Sequence, residues 1–481
     1  MSAHDDHSHA PNRYAVLSTA ERFGDAPELT GRGVTIAFLD SGFQPHPDLT
    51  RPADRILAYH DVHEPSSVLD AARPPRADDW HGTQTCVVAA GSGFLSDGVY
   101  RGLASEASLV LVRVARDGKI SEDAIASGLE WVIENRERHG IRVVSMSLGG
   151  DLDRPLAESR VNQLAERAVA DGLVLVAAAG NSGCGERHRC LPPATAPSVI
   201  AVGGYDDRND PERRQIGLYC SSFGETADGL VKPELIAPAM WIAAPILPGT
   251  PQYVRAESLA RLAATPDNRL AGALAAARDR LGASLAPEMA DPEAVRRWID
   301  GSLRSERLVS AHYQQVDGTS FAAPVAASVA ALMLEANPQL SPLGVKRILL
   351  QTARPVGELP PLRQGYGVLD ARAAIASARI EKHADRSATG TRLASGRIEF
   401  RFHNDIARSV TVAGSFDGWR PGGTPMRRED SGEWSLSIPA PSPGSYRYKF
   451  VVDGTRWLSD PSHARREPDP YGGFDSVLEV P

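Results

Sequence analysis

Cysteine is scarce: four in 481 residues cannot form the disulfide scaffold of a small secreted protein, so the chain has to be held by burial. Basic charge is scarce too. With 52 Lys+Arg against 60 Asp+Glu the net charge is −8, and no basic cluster stands out, which excludes a general affinity for nucleic acid or anionic membrane surfaces. Long apolar runs are also missing, since the longest uncharged apolar stretch, 321–334, is about 14 residues, short of the ~20 that span a bilayer. The first twelve residues hold His4, Asp5, Asp6, His7 and His9 but no apolar signal-peptide core, and they read as a solvated tail. The expectation is a soluble, cytoplasmic protein with neither nucleic acid nor membrane as a partner. Aromatic residues make up only 6% and are unevenly spread: 11 of the 29 fall in 396–481.

What is present is a long chain with several textures. At roughly 150 residues per domain the length predicts two or three domains. Runs apolar on both faces occur at 34–39, 108–114, 143–148, 173–178 and 198–202, and segments with helical spacing, 121–138 and 155–171, lie between them. That alternation predicts an α/β domain, a parallel sheet with helices on both faces, whose functional groups collect at the carboxyl ends of the strands. Around 246–312 the composition turns to Ala, Leu and Arg, broken by Pro251, Pro266, Pro287 and Pro292. This predicts two or three short helices, with Leu270, Leu274 and Leu281 on a face packed against the main domain. A helix is predicted over 319–336, with Pro324 in its first turns, and another from Ser341. The polar stretch 381–395, with Ser387, Thr389, Gly390 and Thr391, reads as a linker. Beyond it, alternation at 398–402, 410–413, 434–438, 446–452 and 477–480 predicts a small antiparallel β-sandwich. The expected order is an extension 1–28, a main domain 29–380 carrying the insertion, the linker, and a sandwich 396–481.

Three short motifs end or open elements of the main domain: Asp40-Ser41-Gly42 after a strand, and His81-Gly82-Thr83 and Gly318-Thr319-Ser320 at helix starts. Nucleophilic hydrolysis needs a hydroxyl, an imidazole to take its proton, and a carboxylate to fix the imidazole's tautomer. Asn181, after the 173–178 strand, adds a side-chain donor for a developing oxyanion, with the backbone N–H of Ser320 as the second. Each motif alone is a common turn or helix start. In the order Asp, His, Ser, with the Asn between the last two, they are specific.

Over about 29–378 the sequence resembles the subtilisin-like serine peptidases. The resemblance is carried by Ile36-Ala37-Phe38-Leu39-Asp40-Ser41-Gly42, His46-Pro47-Asp48-Leu49, His81-Gly82-Thr83, Ser145-Met146-Ser147-Leu148-Gly149-Gly150, Ala179-Gly180-Asn181 and Gly318-Thr319-Ser320-Phe321-Ala322-Ala323-Pro324. It implies peptide-bond hydrolysis through an acyl-enzyme, with Asp40, His81 and Ser320 as the triad and Asn181 as the oxyanion donor. It implies that Ser147, Leu148, Gly149 and Gly150 pair with an extended protein or peptide substrate and wall the pocket for the residue before the scissile bond, with Ala178, Ala179 and Gly180 as its floor. Because His81 must be neutral to accept a proton, activity is expected to rise with pH through a pKa of about 7.

The chain departs from that family in places. Secreted members carry a sizeable N-terminal prodomain, and only 39 residues precede Asp40, so the expectation is an intracellular member whose short extension takes that part. The chemistry needs no cofactor, but the resemblance implies a structural calcium, with Asp48 as a carboxylate ligand and carbonyl oxygens from 93–102. Cys184, His188, Cys190 and Cys220 leave three readings open, a zinc cluster of non-standard spacing, a Cys184–Cys190 disulfide, or free thiols, and no metal site is assigned to them. Cys86 reads as core.

The aromatic-rich end carries Val412-Ala413-Gly414-Ser415-Phe416-Asp417-Gly418-Trp419, Tyr446-Arg447-Tyr448-Lys449-Phe450 and Val452-Asp453-Gly454-Thr455-Arg456-Trp457 followed by Asp460-Pro461. It resembles the glycogen-binding modules of AMP-activated kinase β subunits and branching-type enzymes. That implies a partner of glycogen or another α-glucan, with Trp419 and Trp457 as stacking platforms, Lys449 as a polar contact, and Asp475 where that family often has Asn. The other reading of these residues is a sandwich kept for packing, with both tryptophans in its core. Together the two resemblances imply a serine endopeptidase targeted to an α-glucan. The alternative is a catalytically inactive, glycogen-associated scaffold.

Overall fold

In the computed structural model the described residues are 16–23, 28–65, 67–70, 72–184, 188–212, 215–282, 291–381, 391–394, 396–404, 407–420, 422–429, 433–454, 456–460, 463, 465–469 and 474–481. Most of the extension and of the linker falls outside them.

Seven parallel strands make the main sheet, in the order Leu235–Pro238, Ile200–Asp206, Val174–Ala178, Ile141–Met146, Thr35–Asp40, Ser108–Arg113 and Ile56–Asp61, and Gly217–Leu218 pairs antiparallel with Ile200–Asp206. Period-two alternation divides the strand residues between two cores. Ile36 and Phe38 face the helices Asp79–Ala90 and Thr319–Ala336, whereas Ala37 and Leu39 face Glu122–His139 and Arg160–Ala170. Burial on both faces is why these strands read as unbroken apolar runs. Thr319–Ala336 is long and apolar enough to cross a membrane, but its side chains are buried in the core between the sheet and the helices Pro342–Thr352 and Ala371–Ile380.

The insertion leaves and re-enters through an antiparallel pair, Ile242–Pro245 with Tyr313–Val316. It forms three helices, Pro251–Ala263, Asp267–Leu281 and Pro292–Ser305, each with proline at or next to its start. Leu270, Leu274 and Leu281 do not pack on the main domain as expected. They meet Leu259, Leu262, Val295 and Ile299, so the three helices have their own small core.

The C-terminal segment is an antiparallel sandwich. One sheet pairs Arg397–His403 with Glu433–Pro439, the other pairs Val410–Gly414, Gly444–Val452 and Phe474–Val480, and Phe400, Phe402, Trp434, Tyr448 and Phe450 fill the space between. The sandwich rests on the main domain. Arg466 donates through Nη2 to the Val231 carbonyl at 2.8 Å and lies 4.6 Å over the Tyr366 ring, Tyr366 Oη donates to the Asp460 carbonyl at 3.3 Å, and Arg456 reaches the Gln351 carbonyl.

Candidate active site

Asp40 is the last residue of the Thr35–Asp40 strand, which lies inside the sheet with neighbours on both sides. His81 stands in the first turn of Asp79–Ala90, and Ser320 in the first turn of Thr319–Ala336. A Cβ on Gly82 would come within 2.3 Å of the Gly42 carbonyl oxygen and 2.9 Å of Asp40 Cβ, so only glycine lets the histidine helix press onto the turn after Asp40. Asp40 is 1% exposed, and its Oδ1 accepts from His81 Nδ1 at 2.6 Å and from the Ser41 backbone N–H at 2.6 Å, while Oδ2 accepts from Thr85 Oγ1 at 3.1 Å. With Nδ1–H committed to the carboxylate, the neutral ring presents Nε2 as a lone pair. Burial pulls the His81 pKa down, but the charge and hydrogen bond of Asp40 pull it up and prevail, leaving it above the ordinary 6.5.

Ser320 is half-buried, and the ring of its neighbour Phe321 lies 6.1 Å from the imidazole. Ser320 Oγ and His81 are not hydrogen-bonded to each other in this structure; such contacts often tighten only with substrate in place. Asn181 Oδ1 accepts from the Thr319 backbone N–H and from Thr319 Oγ1, both at 2.9 Å, so the amide's Nδ2 donors turn outward. Ser147 and Ala178 lie beside each other because their strands pair in parallel, Met146 opposite Ala177. Ser147 Oγ donates to the Ser320 carbonyl at 2.7 Å, the Gly150 N–H donates to the Pro192 carbonyl at 2.7 Å, and the Gly180 N–H donates to Thr319 Oγ1 at 3.2 Å. Leu148 and Ala179 are buried, and Gly149 is exposed at the open edge. Ser147 from the expected wall and Gly180 from the expected floor are thus both bonded to the turn that carries Ser320.

On the sandwich, Trp419 and Trp457 are neighbours, with ring centroids 6.4 Å apart and planes at 41°. Trp457 is 45% exposed and Trp419 half-buried, and neither belongs to the aromatic core. Lys449 and Asp475 are the polar residues expected beside them. Both are buried, and Lys449 pairs with Asp469 and lies 3.6 Å from Asp475, so of these four residues the tryptophans are the more open.

Residues 31–367 match the model of the subtilase family of peptidases, and residues 387–472 match carbohydrate-binding module 48, the isoamylase N-terminal domain type. The chain belongs to the subtilase family. This subtilase is 31% identical to serine protease AprX of Bacillus subtilis over 371 residues, 74% of this chain and 71% of the relative. It is 31% identical to subtilisin Savinase of Lederbergia lenta over 204 residues, 42% of this chain and 66% of that one. Among solved structures, proteases from Pseudoalteromonas arctica PAMC 21717 superpose with a TM-score of 0.49 at 22% identity, over 73% of this chain and 91% of theirs. The subtilase is a serine endopeptidase, a hydrolase, whose catalysis needs no cofactor, and its C-terminal domain is a module of the family that includes the glycogen-binding modules of AMP-activated kinase β subunits and branching enzymes.

The expected calcium does not fit this subtilase. Asp48 is fully buried, but its Oδ1 accepts from the Leu95 N–H at 3.0 Å and its Oδ2 from Tyr313 Oη at 2.5 Å. The Gly93 carbonyl is taken by Ser96 and Gly98 within its own turn. Both carboxylate oxygens are therefore taken by hydrogen-bond donors, one of them Tyr313 of the insertion's returning strand, which leaves neither free to ligate a cation. The cysteine readings are corrected too. Cys184 is disulfide-bonded to Cys220, not Cys190. Cys190 is buried, its thiol donating to the Ser222 carbonyl at 3.6 Å and its pKa pushed up to about 12 by burial, which removes the zinc reading. Cys86 is in the core, as read.

Two site residues escaped the sequence reading: Thr85, bonded to Asp40, and Thr319, which holds Asn181. Thr85 lies four residues after His81, on the same helix face, and that spacing was the available signal.

Proposed function

We propose that Asp40, His81 and Ser320 act as the triad of this endopeptidase. Ser320 Oγ attacks the scissile carbonyl carbon while His81 Nε2 takes its proton. The oxyanion is received by Asn181 Nδ2 and the Ser320 backbone N–H at the positive end of its helix. His81 then gives the proton to the leaving amine, the acyl-enzyme forms, and water repeats the sequence to release the acid. The substrate lies extended against Ser147–Gly150, with one side chain over Ala178–Gly180. The observation that carries this reading is the 2.6 Å contact from His81 Nδ1 to a carboxylate that is 1% exposed. Ser320→Ala is expected to abolish hydrolysis of a quenched peptide library. Retention of cleavage by that variant would refute the assignment.

The module is proposed to bind glycogen or another neutral α-glucan through Trp419 and Trp457, whose apolar faces suit the C–H faces of sugars. Its support is that both rings lie outside the core and side by side. In co-sedimentation with glycogen the wild type should pellet and the Trp419→Ala/Trp457→Ala double variant should not; equal pelleting removes the reading.

A cytoplasmic address is retained as a proposal, and the Cys184–Cys220 bond opposes it, because cytosolic thiol pools keep such bonds reduced. Alkylation of thiols in intact cells decides. Trapped thiols at both Cys184 and Cys220 support the cytoplasm, and an intact bond between them argues against it.

A further inference from the structure

Trp80 immediately precedes His81 in the first turn of the histidine helix, and nothing in the chemistry above uses it. Its indole stands edge-on to the imidazole, centroids 5.2 Å apart and planes at 87°, and is 49% exposed. A single exposed aromatic is ordinary on a protein surface. This one is in contact with the general base, and the chain on both sides of it is tied down. Asp79, just before it, is buried and accepts at Oδ2 from Arg73 Nη2 at 2.8 Å and from the Arg76 N–H at 2.7 Å. The Asp79 carbonyl accepts from Thr83 Oγ1 at 2.6 Å, and Ser41 Oγ donates to the Asp78 carbonyl at 2.7 Å. A rigid aromatic half-open to solvent, one ring away from the reacting atoms, is a preorganised contact surface.

The charges around it are paired among themselves. Asp79 is bound to Arg73, Asp61 to Arg113 and Arg76, and Asp78 to Arg113. No free carboxylate is left among these to favour a basic side chain. The geometry points to Trp80 as a specificity-determining residue of this peptidase, packing a bulky uncharged apolar side chain of the substrate, aromatic or leucine-like, at one position flanking the scissile bond. This rests on the triad reading, since the position is defined by its closeness to His81.

The test is a set of quenched peptides of one parent sequence, with Phe, Leu or Ala placed in turn at the two residues on either side of the bond, together with a Ser320→Ala control. At one position the wild type should prefer Phe or Leu over Ala in kcat/KM, by about 10- to 200-fold, the range a shaped apolar contact supplies. Trp80→Ala should collapse that ratio towards one, falling far more on the Phe and Leu peptides than on the Ala peptide. Trp80→Phe should keep most of it, and the acid limb of the pH profile should stay in place. An equal fall on every peptide, or a moved acid limb, would mean that Trp80 only supports His81, and an unchanged ratio would mean that it does not meet the substrate. Either outcome overturns the inference. Failure of the triad reading looks different, with Ser320→Ala as active as the wild type.

Discussion

Asp40 sets both the direction and the charge of the imidazole. Burial alone would depress His81, and the carboxylate more than offsets it. Activity requires the neutral ring, so kcat/KM should rise with pH through a value above 6.5 in the wild type. Asp40→Asn removes the raising influence and leaves the burial, so the acid limb should move to lower pH while kcat falls by roughly 10⁴, as loss of the orienting carboxylate costs such triads. A pH–rate profile of both forms checks this; an unmoved limb would contradict it. The places of Asp40, His81, Ser320 and Asn181 at element ends were legible in the sequence because each sits in a short motif. Thr319 was legible only as part of such a motif. Its role lies in one side-chain hydrogen bond, which spacing does not encode. For Lys449 and Asp475 the sequence shows the residue types but not their burial, nor that Lys449 pairs with Asp469 and lies 3.6 Å from Asp475.

Among the elements, the buried strands were read from their apolar runs, and the two edge strands were not. Ile56–Asp61 is half-exposed and ends in Tyr59, His60 and Asp61, whereas Leu235–Pro238 is short and closes on proline, so neither carries the signature of a strand covered on both faces. Contacts between distant elements were beyond the sequence. The insertion's returning strand supplies Tyr313 to Asp48, and the expected consequence is that this carboxylate needs no cation. EDTA should leave the thermal midpoint unchanged, while Tyr313→Phe, which strips a donor from a buried carboxylate, should cost roughly 1–3 kcal/mol in denaturant unfolding. A midpoint that drops with EDTA and recovers with calcium would restore the cation. The Cys184–Cys220 bond ties the loop that begins at Asn181 to the segment beside Gly180, where the Ser222 N–H also donates to the Gly180 carbonyl at 2.9 Å. It closes a sequence separation of 36 residues, so its removal by Cys184→Ser/Cys220→Ser should lower stability by about 2–4 kcal/mol. The same melting experiment, with and without reductant, checks it: an unchanged midpoint would show that the bond bears no load.

At the scale of the whole molecule, the division into a peptidase and an aromatic-rich sandwich was visible in composition, and the seam between them was not. Arg466, Arg456 and Tyr366 lie far apart in sequence from their partners and fasten the sandwich to the peptidase. Docked in this way, a module that holds a glucan would hold the cleft in a fixed orientation to it. Arg466→Ala loses the Val231 hydrogen bond and the stack on Tyr366 together, and should split one calorimetric unfolding transition into two; a single unshifted transition would show that the domains are coupled by something else. The central claim is that this chain is a working serine peptidase with Ser320 as its nucleophile, and a fluorophosphonate probe tests it most directly. The native protein should be labelled, with the adduct mapped by mass spectrometry to Ser320, and heat-denatured protein and Ser320→Ala should not be. Absence of labelling on native protein, or labelling that survives Ser320→Ala, would contradict the account and leave the inactive scaffold as the better reading.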